Sequence, residues 1–110
     1  MSITGDLIRG HTDATILSRL CRSDSYGYEI NKTISNLSGG RFELKEATLY
    51  TAFKRLEEQG YIVSYWGDSG AGARRRYYSI TPAGKDTCHR LLLEWKATKQ
   101  IMDELLEEHI

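Results

Sequence analysis

Three stretches of helical periodicity, a strand pair around a glycine-rich tip and one long closing helix follow one another along this chain of 110 residues. That order predicts a mainly α protein with a small β-hairpin, laid out as a winged helix-turn-helix. The closing helix is too long for so small a body to cover, which predicts a dimerisation element. The expected organisation is a winged helix-turn-helix body over residues 1–81 and a C-terminal dimerisation helix over residues 82–110.

The first helix is marked by Ile16, Leu17, Leu20 and Cys21 on one face, with Thr12 or Asp13 as its cap and an upstream extension through Leu7 and Ile8. Ser23-Asp24-Ser25 breaks the pattern. A second helix is expected from Tyr26, with Ile30, Ile34 and Leu37 spaced for burial and Gly39-Gly40 as its stop. Phe42-Glu43-Leu44 alternates, as a minimal strand would. A third helix runs from Lys45 to Gln59, burying Leu49, Ala52, Phe53 and Leu56 and ending at Gly60. The β-branched and aromatic run 61–66 and the segment 75–80 are strands flanking the tip, and Pro82 opens the last helix.

Composition narrows the function. No apolar run reaches the ~20 residues of a membrane span, and the start lacks a basic segment leading into an apolar one. The two cysteines, Cys21 and Cys88, lie far apart in helical patterns. Reduced thiols in a cytoplasmic protein are expected, with no disulfide scaffold and no cofactor. The net charge of zero is an average over unlike parts: residues 1–85 hold 12 basic against 9 acidic side chains, and residues 86–110 hold 3 against 6. A basic body with an acidic tail suits a polyanionic partner. Catalytic chemistry finds no foothold. Gly84-Lys85 lacks the remaining phosphate-loop residues, and Gly67, Gly70 and Gly72 lie between strands rather than before a helix. His11, His89 and His109 have no metal-ligand spacing, and no enzyme is expected.

With its apolar stripe turned inward, the third helix presents Lys45, Thr48, Tyr50, Thr51, Lys54 and Arg55. Hydroxyls and cations on a helix can meet phosphates and base edges in a major groove. Arg74-Arg75-Arg76 at the base of the tip adds fixed positive charge suited to phosphates or a narrow minor groove. Together these predict double-stranded DNA as partner. A winged helix kept only as a protein-docking scaffold is the alternative. In the last helix Cys88, Leu91, Leu92, Trp95, Ile101, Met102, Leu105 and Leu106 recur every three to four residues, with Thr98 and Lys99 interrupting. Cys88, Leu92, Trp95, Met102, Leu105 and Leu106 are the expected homodimer contacts, and imperfect closure near Trp95, Leu91 and Leu92 would leave a cleft for a flat aromatic effector.

The run from Ala47 through Leu56-Glu57-Glu58-Gln59-Gly60 to Ile62 resembles the recognition-helix signature of the PadR-like transcriptional regulators. Tyr26-Gly27-Tyr28-Glu29-Ile30 is similar to their second-helix opening, and the run from Arg76 to Gly84 is similar to their wing and exit. Trp66-Gly67-Asp68 and the mid-helix Trp95 resemble a short-form subgroup that includes multidrug-sensing repressors. The resemblance implies a homodimer with exchanged C-terminal helices that represses nearby genes from an operator. It implies DNA contacts from Thr48, Tyr50, Thr51 and Lys54, a phosphate contact from Tyr28, and wing contacts from Arg74 and Arg75. The chain departs from many relatives at Ala47 and Thr51, where they carry Gly and Pro.

Overall fold

A computed structural model describes residues 7–68 and 74–107. The elements are α1 (Thr12–Arg22), β1 (Ser25–Tyr26), α2 (Gly27–Leu37), α3 (Glu46–Glu58), β2 (Ile62–Asp68), β3 (Arg74–Ile80) and α4 (Pro82–Leu106). The predicted glycine-rich tip falls largely outside the described residues, as do residues 108–110, while the closing helix, expected to run to the C-terminus, ends at Leu106 with Glu107 as its C-cap.

The core forms where the predicted stripes meet. Ile16, Leu17 and Leu20 of α1, Ile30 and Ile34 of α2, and all four apolar residues of α3 are buried together with Leu44, Ile62 and Tyr78. Phe53 lies flat on Tyr78, with ring centroids 3.9 Å apart, and so joins α3 to the sheet. The sheet has three strands in the order β1-β3-β2, all antiparallel. Tyr26 opposes Tyr77, and Tyr65 opposes the same Tyr77 from the other side.

Four local expectations are corrected. Phe42–Leu44 is not a strand: Asn31 grips the Leu44 backbone instead, donating from Nδ2 to its carbonyl (2.7 Å) and accepting its N–H at Oδ1 (2.8 Å). The extra strand is β1, in the stretch read as a break. Leu37 is 68% exposed, because the last turn of α2 passes the edge of the core. Neither Thr12 nor Asp13 caps α1; His11 holds that position, and Thr12 Oγ1 donates to the Arg9 carbonyl. Residues 7–9 are helical but separated from α1 by a turn.

The end of α3 and the start of α4 are built as one joint. Gly60 takes φ +80, as a helix-terminating residue there must, while its N–H reaches the Glu57 carbonyl and the Tyr61 N–H reaches Leu56. Thr81 caps α4 by accepting the Gly84 N–H (3.1 Å) and donates its hydroxyl to the Gly60 carbonyl (2.7 Å). A Cβ on Gly84 would lie 2.1 Å from the Tyr61 carbonyl oxygen and 2.7 Å from Ile80 Cγ1. The obstacle is backbone, which cannot swing aside. Gly84→Ala is expected to cost about 1–3 kcal/mol, read as a lower urea midpoint with an unchanged denaturant slope.

Candidate nucleic-acid interface

The helix-turn-helix unit is α2, the Asn31-clamped turn and α3. Successive residues of α3 advance about 100° around its axis, so burying Leu49, Ala52, Phe53 and Leu56 sends Ala47, Thr51 and Lys54 outward. Lys45 is exposed at the N-cap. Tyr50 stands on one flank, 46% exposed, edge-on to Phe53 and leaning over α2. A Cβ on Gly27 would fall 2.7 Å from the Tyr50 hydroxyl, so the glycine makes room for this ring. Tyr28, in the first turn of α2, is 71% exposed.

The other flank of α3 turns toward α1 and α4. Arg55 forms an ion pair with Asp13 of α1, and that hydrogen bond raises the pKa of its guanidinium. Thr48 and Thr51 line, with Arg55, an open groove of about 840 Å³ between α1, α3 and α4. Six candidates on one helix therefore divide. Lys45, Tyr50, Thr51 and Lys54 are exposed, whereas Thr48 is half-buried and Arg55 is engaged within the chain.

In the wing, alternation separates the three arginines. Arg76 shares the core-side face with Tyr78, donates to Ser64 Oγ (2.9 Å) and pairs with Glu57 at 3.4 Å. Arg74 lies over the Trp66 ring, 5.3 Å from its centroid. Arg75 is on the opposite face, 4.5 Å from the centroid of Tyr26. Beyond it Tyr65 stacks on Tyr77 and donates to Asp24 (2.6 Å), a hydrogen bond that raises the Tyr65 pKa. Tyr26 was missed as a partner of the wing; its adjacency to Gly27 and Tyr28 was visible, but its pairing across the sheet was not.

The dimer and effector candidates lie on α4. Its early turns pack on the body: Cys88 and Leu91 are half-buried against the core, and burial pushes the Cys88 thiol up to about 11. Trp95 is 44% exposed and edge-on to His11, with centroids 5.0 Å apart. Trp95 and Leu91 line the groove; Leu92 does not. Leu92, Met102, Leu105 and Leu106 are exposed in the single chain. Among the described residues no helix is long and apolar enough to cross a membrane, and no group of three or more metal-ligating side chains forms.

A helix-turn-helix with a basic outward strip and a three-stranded wing defines a winged-helix DNA-binding protein. The family model "Transcriptional regulator PadR-like family" matches residues 16–90, and the chain belongs to that family of DNA-binding transcriptional regulators, which are not enzymes. A transcriptional regulator from Clostridium thermocellum has a similar structure, with TM-score 0.84 and 46% identity over 92% of this chain and 95% of that one. A PadR family transcription regulator from Clostridium difficile R20291 matches with TM-score 0.76 and 39% identity over 87% and 98%. The negative transcriptional regulator PadR of Bacillus subtilis is 24% identical over 84% of this chain, which spans 49% of that protein.

Gly27→Ala should push the Tyr50 ring away from α2. The obstruction is the far end of a side chain, so the stability change should stay below about 1 kcal/mol. DNA affinity should fall while the thermal melt stays near wild type; a gel shift beside the melt checks both.

Proposed function

We propose that the protein is a cytoplasmic, dimeric, operator-binding repressor of the short-form, drug-sensing-like kind, relieved by a planar aromatic effector at the dimer interface. The observation that carries the DNA side is the outward strip of α3, with Thr51 and Lys54 at its centre and Lys45 at its head, on the same body as Arg74 and Arg75 of the wing. Tyr50 and Tyr28 extend that surface onto α2, each offering a phenol to phosphate or base. Thr48 reaches DNA from the edge of the strip, and Arg55 does so only by giving up Asp13. Repression follows the role of the Bacillus subtilis relative, a negative regulator.

Dimerisation is supported by α4. Leu92, Trp95, Met102, Leu105 and Leu106 stay exposed on a helix whose early turns are already occupied, and a second copy would cover them. Cys88 contributes within its own chain instead. The twofold arrangement would place two recognition helices about one turn of DNA apart, ~10 bp.

Gel shifts on the DNA upstream of its own gene test the reading. Lys54→Ala and Arg75→Ala should each lower affinity about tenfold and reduce the salt dependence by roughly one phosphate contact. Arg55→Ala should do less, since Arg55 must first leave Asp13 to meet phosphate. Wild-type affinity in both of the first two variants would place the interface elsewhere.

The effector site is supported by Trp95, whose ring forms one wall of the groove and has only His11 against it among the described rings. Planar cationic dyes should quench its fluorescence saturably, and Trp95→Ala should remove that component while leaving the Trp66 signal. Equal dye binding by both proteins in calorimetry would reduce Trp95 to a packing residue.

A further inference from the structure

Tyr26 is the N-cap of α2 and half of the two-residue strand β1, and the outward strip of α3 makes no use of it. Its ring lies on the outer face of the sheet, where Arg75 sits over it with the guanidinium carbon 4.5 Å from the ring centroid. Among the described residues Arg75 has no ion pair and no side-chain hydrogen bond, whereas Arg76 commits its donors to Ser64 and Glu57. The Tyr26 ring is itself braced. Tyr77 meets it edge-on at 5.3 Å and stacks on Tyr65 at 5.6 Å, and Tyr65 donates to Asp24, two positions before Tyr26. Gly67 is the strand partner of Arg75, and a Cβ there would lie 2.8 Å from Tyr77 Cδ1. The glycine leaves the space that the middle ring fills.

We propose that Tyr26 is a positioning residue of the DNA-binding surface, holding Arg75 of the wing by a cation–π contact in fixed register with the recognition helix. A free arginine side chain ranges over many rotamers, and ordering it on a phosphate costs conformational entropy. Rest on an aromatic ring removes part of that cost before DNA arrives. The attraction is to the negative face of the ring and engages no N–H donor. The whole guanidinium fork stays available to phosphate or to a narrow minor groove.

The placement also gives so short a strand a purpose. Tyr26 supports Arg75, Gly27 makes room for Tyr50, and Tyr28 stands exposed one residue further on. Three consecutive residues thus serve the wing, the recognition helix and the surface of α2. The role rests on the operator-binding reading; the contact between ring and guanidinium does not. A positioning residue also leaves its own signature in salt. Loss of Arg75 removes a cation from phosphate and weakens the salt dependence, whereas loss of the ring alone leaves the cation in place.

Gel shifts of the full chain on the DNA upstream of its own gene, run as a salt series beside a thermal melt, test the role. Tyr26→Leu should lower affinity about threefold at the wild-type salt dependence. In the Arg75→Ala background the same change should have no further effect, because it acts through the arginine already removed. Tyr26→Phe should bind as wild type does. Pentafluorophenylalanine at the same position keeps the ring but reverses the charge of its face, and should bind like Tyr26→Leu. That comparison separates positioning from packing even where leucine loosens the sheet. Additive losses in the double variant, tighter binding by Tyr26→Leu, or equal affinity of the phenylalanine and pentafluorophenylalanine proteins overturns the role. Wild type that fails to bind overturns the operator-binding reading itself. The contact is then decided by NMR: the Arg75 side-chain protons should be shifted upfield by the ring in wild type and lose that shift in Tyr26→Leu, and unshifted protons in wild type overturn it.

Discussion

The joint at Gly60, Tyr61, Thr81 and Gly84 is the constraint on which the other parts depend. One short backbone passage ends α3, starts β2, finishes β3 and launches α4. The Tyr61 carbonyl accepts the Thr81 N–H at 3.0 Å while lying against Gly84, and the Thr81 hydroxyl donates to Gly60. Every buried polar side-chain atom among the described residues is satisfied. The Tyr61–Thr81 and Tyr61–Gly84 contacts are backbone on backbone, so no rotamer change can relax those two. The recognition helix, the wing and the long helix are thereby held in one fixed relation, and their joint use as a DNA-reading body follows from that relation.

The same relation decides how α3 divides its side chains. Phe53 on Tyr78 fixes the rotation of the helix about its axis, and the Glu57–Arg76 pair links its last turn to β3. With rotation fixed, one flank holds Tyr50 above Gly27 and the other delivers Arg55 to Asp13. Electrostatics alone would let any exposed arginine serve phosphate equally well. Packing separates Lys54, which has no ion pair among the described residues, from Arg55, which must first leave a carboxylate. The wing repeats this logic: Arg76 is committed to the body, and Arg75 rides on an aromatic ring at the opposite face.

What was legible in the sequence was local. The apolar stripe of α3, the helix stops at Gly39 and Gly60, and Pro82 at the head of α4 follow from periodicity and from backbone chemistry within a few residues. Elements whose cause lies far along the chain were not legible. Ser25–Tyr26 is too short to show a strand pattern and becomes one only because Tyr77 and Tyr78 arrive beside it. Phe42–Leu44 alternates like a strand, yet Asn31, thirteen positions earlier, takes the hydrogen bonds a partner strand would need. Arg55 reads as an outward cation until Asp13 is placed opposite.

The packing of α1 against α4 gives the candidate effector groove a short route to the DNA-facing side. The groove is walled by α1, α3 and α4 at once, and its lining includes Trp95 and His11 as well as Thr48, Thr51 and Arg55. The proposed guest beside Trp95 would act on α1 and α4 through the groove. No relay through the core would be needed, because the Asp13–Arg55 pair joins α1 to the recognition helix. The energetic requirement is differential: an effector alters DNA binding only as far as it favours one setting of α1 against α4 over another. An aromatic guest would meet that requirement by filling the groove at one width. On the proposed reading, control would be exerted from the groove-side flank of α3 and read at the outward strip, with Thr51 at the border of the two.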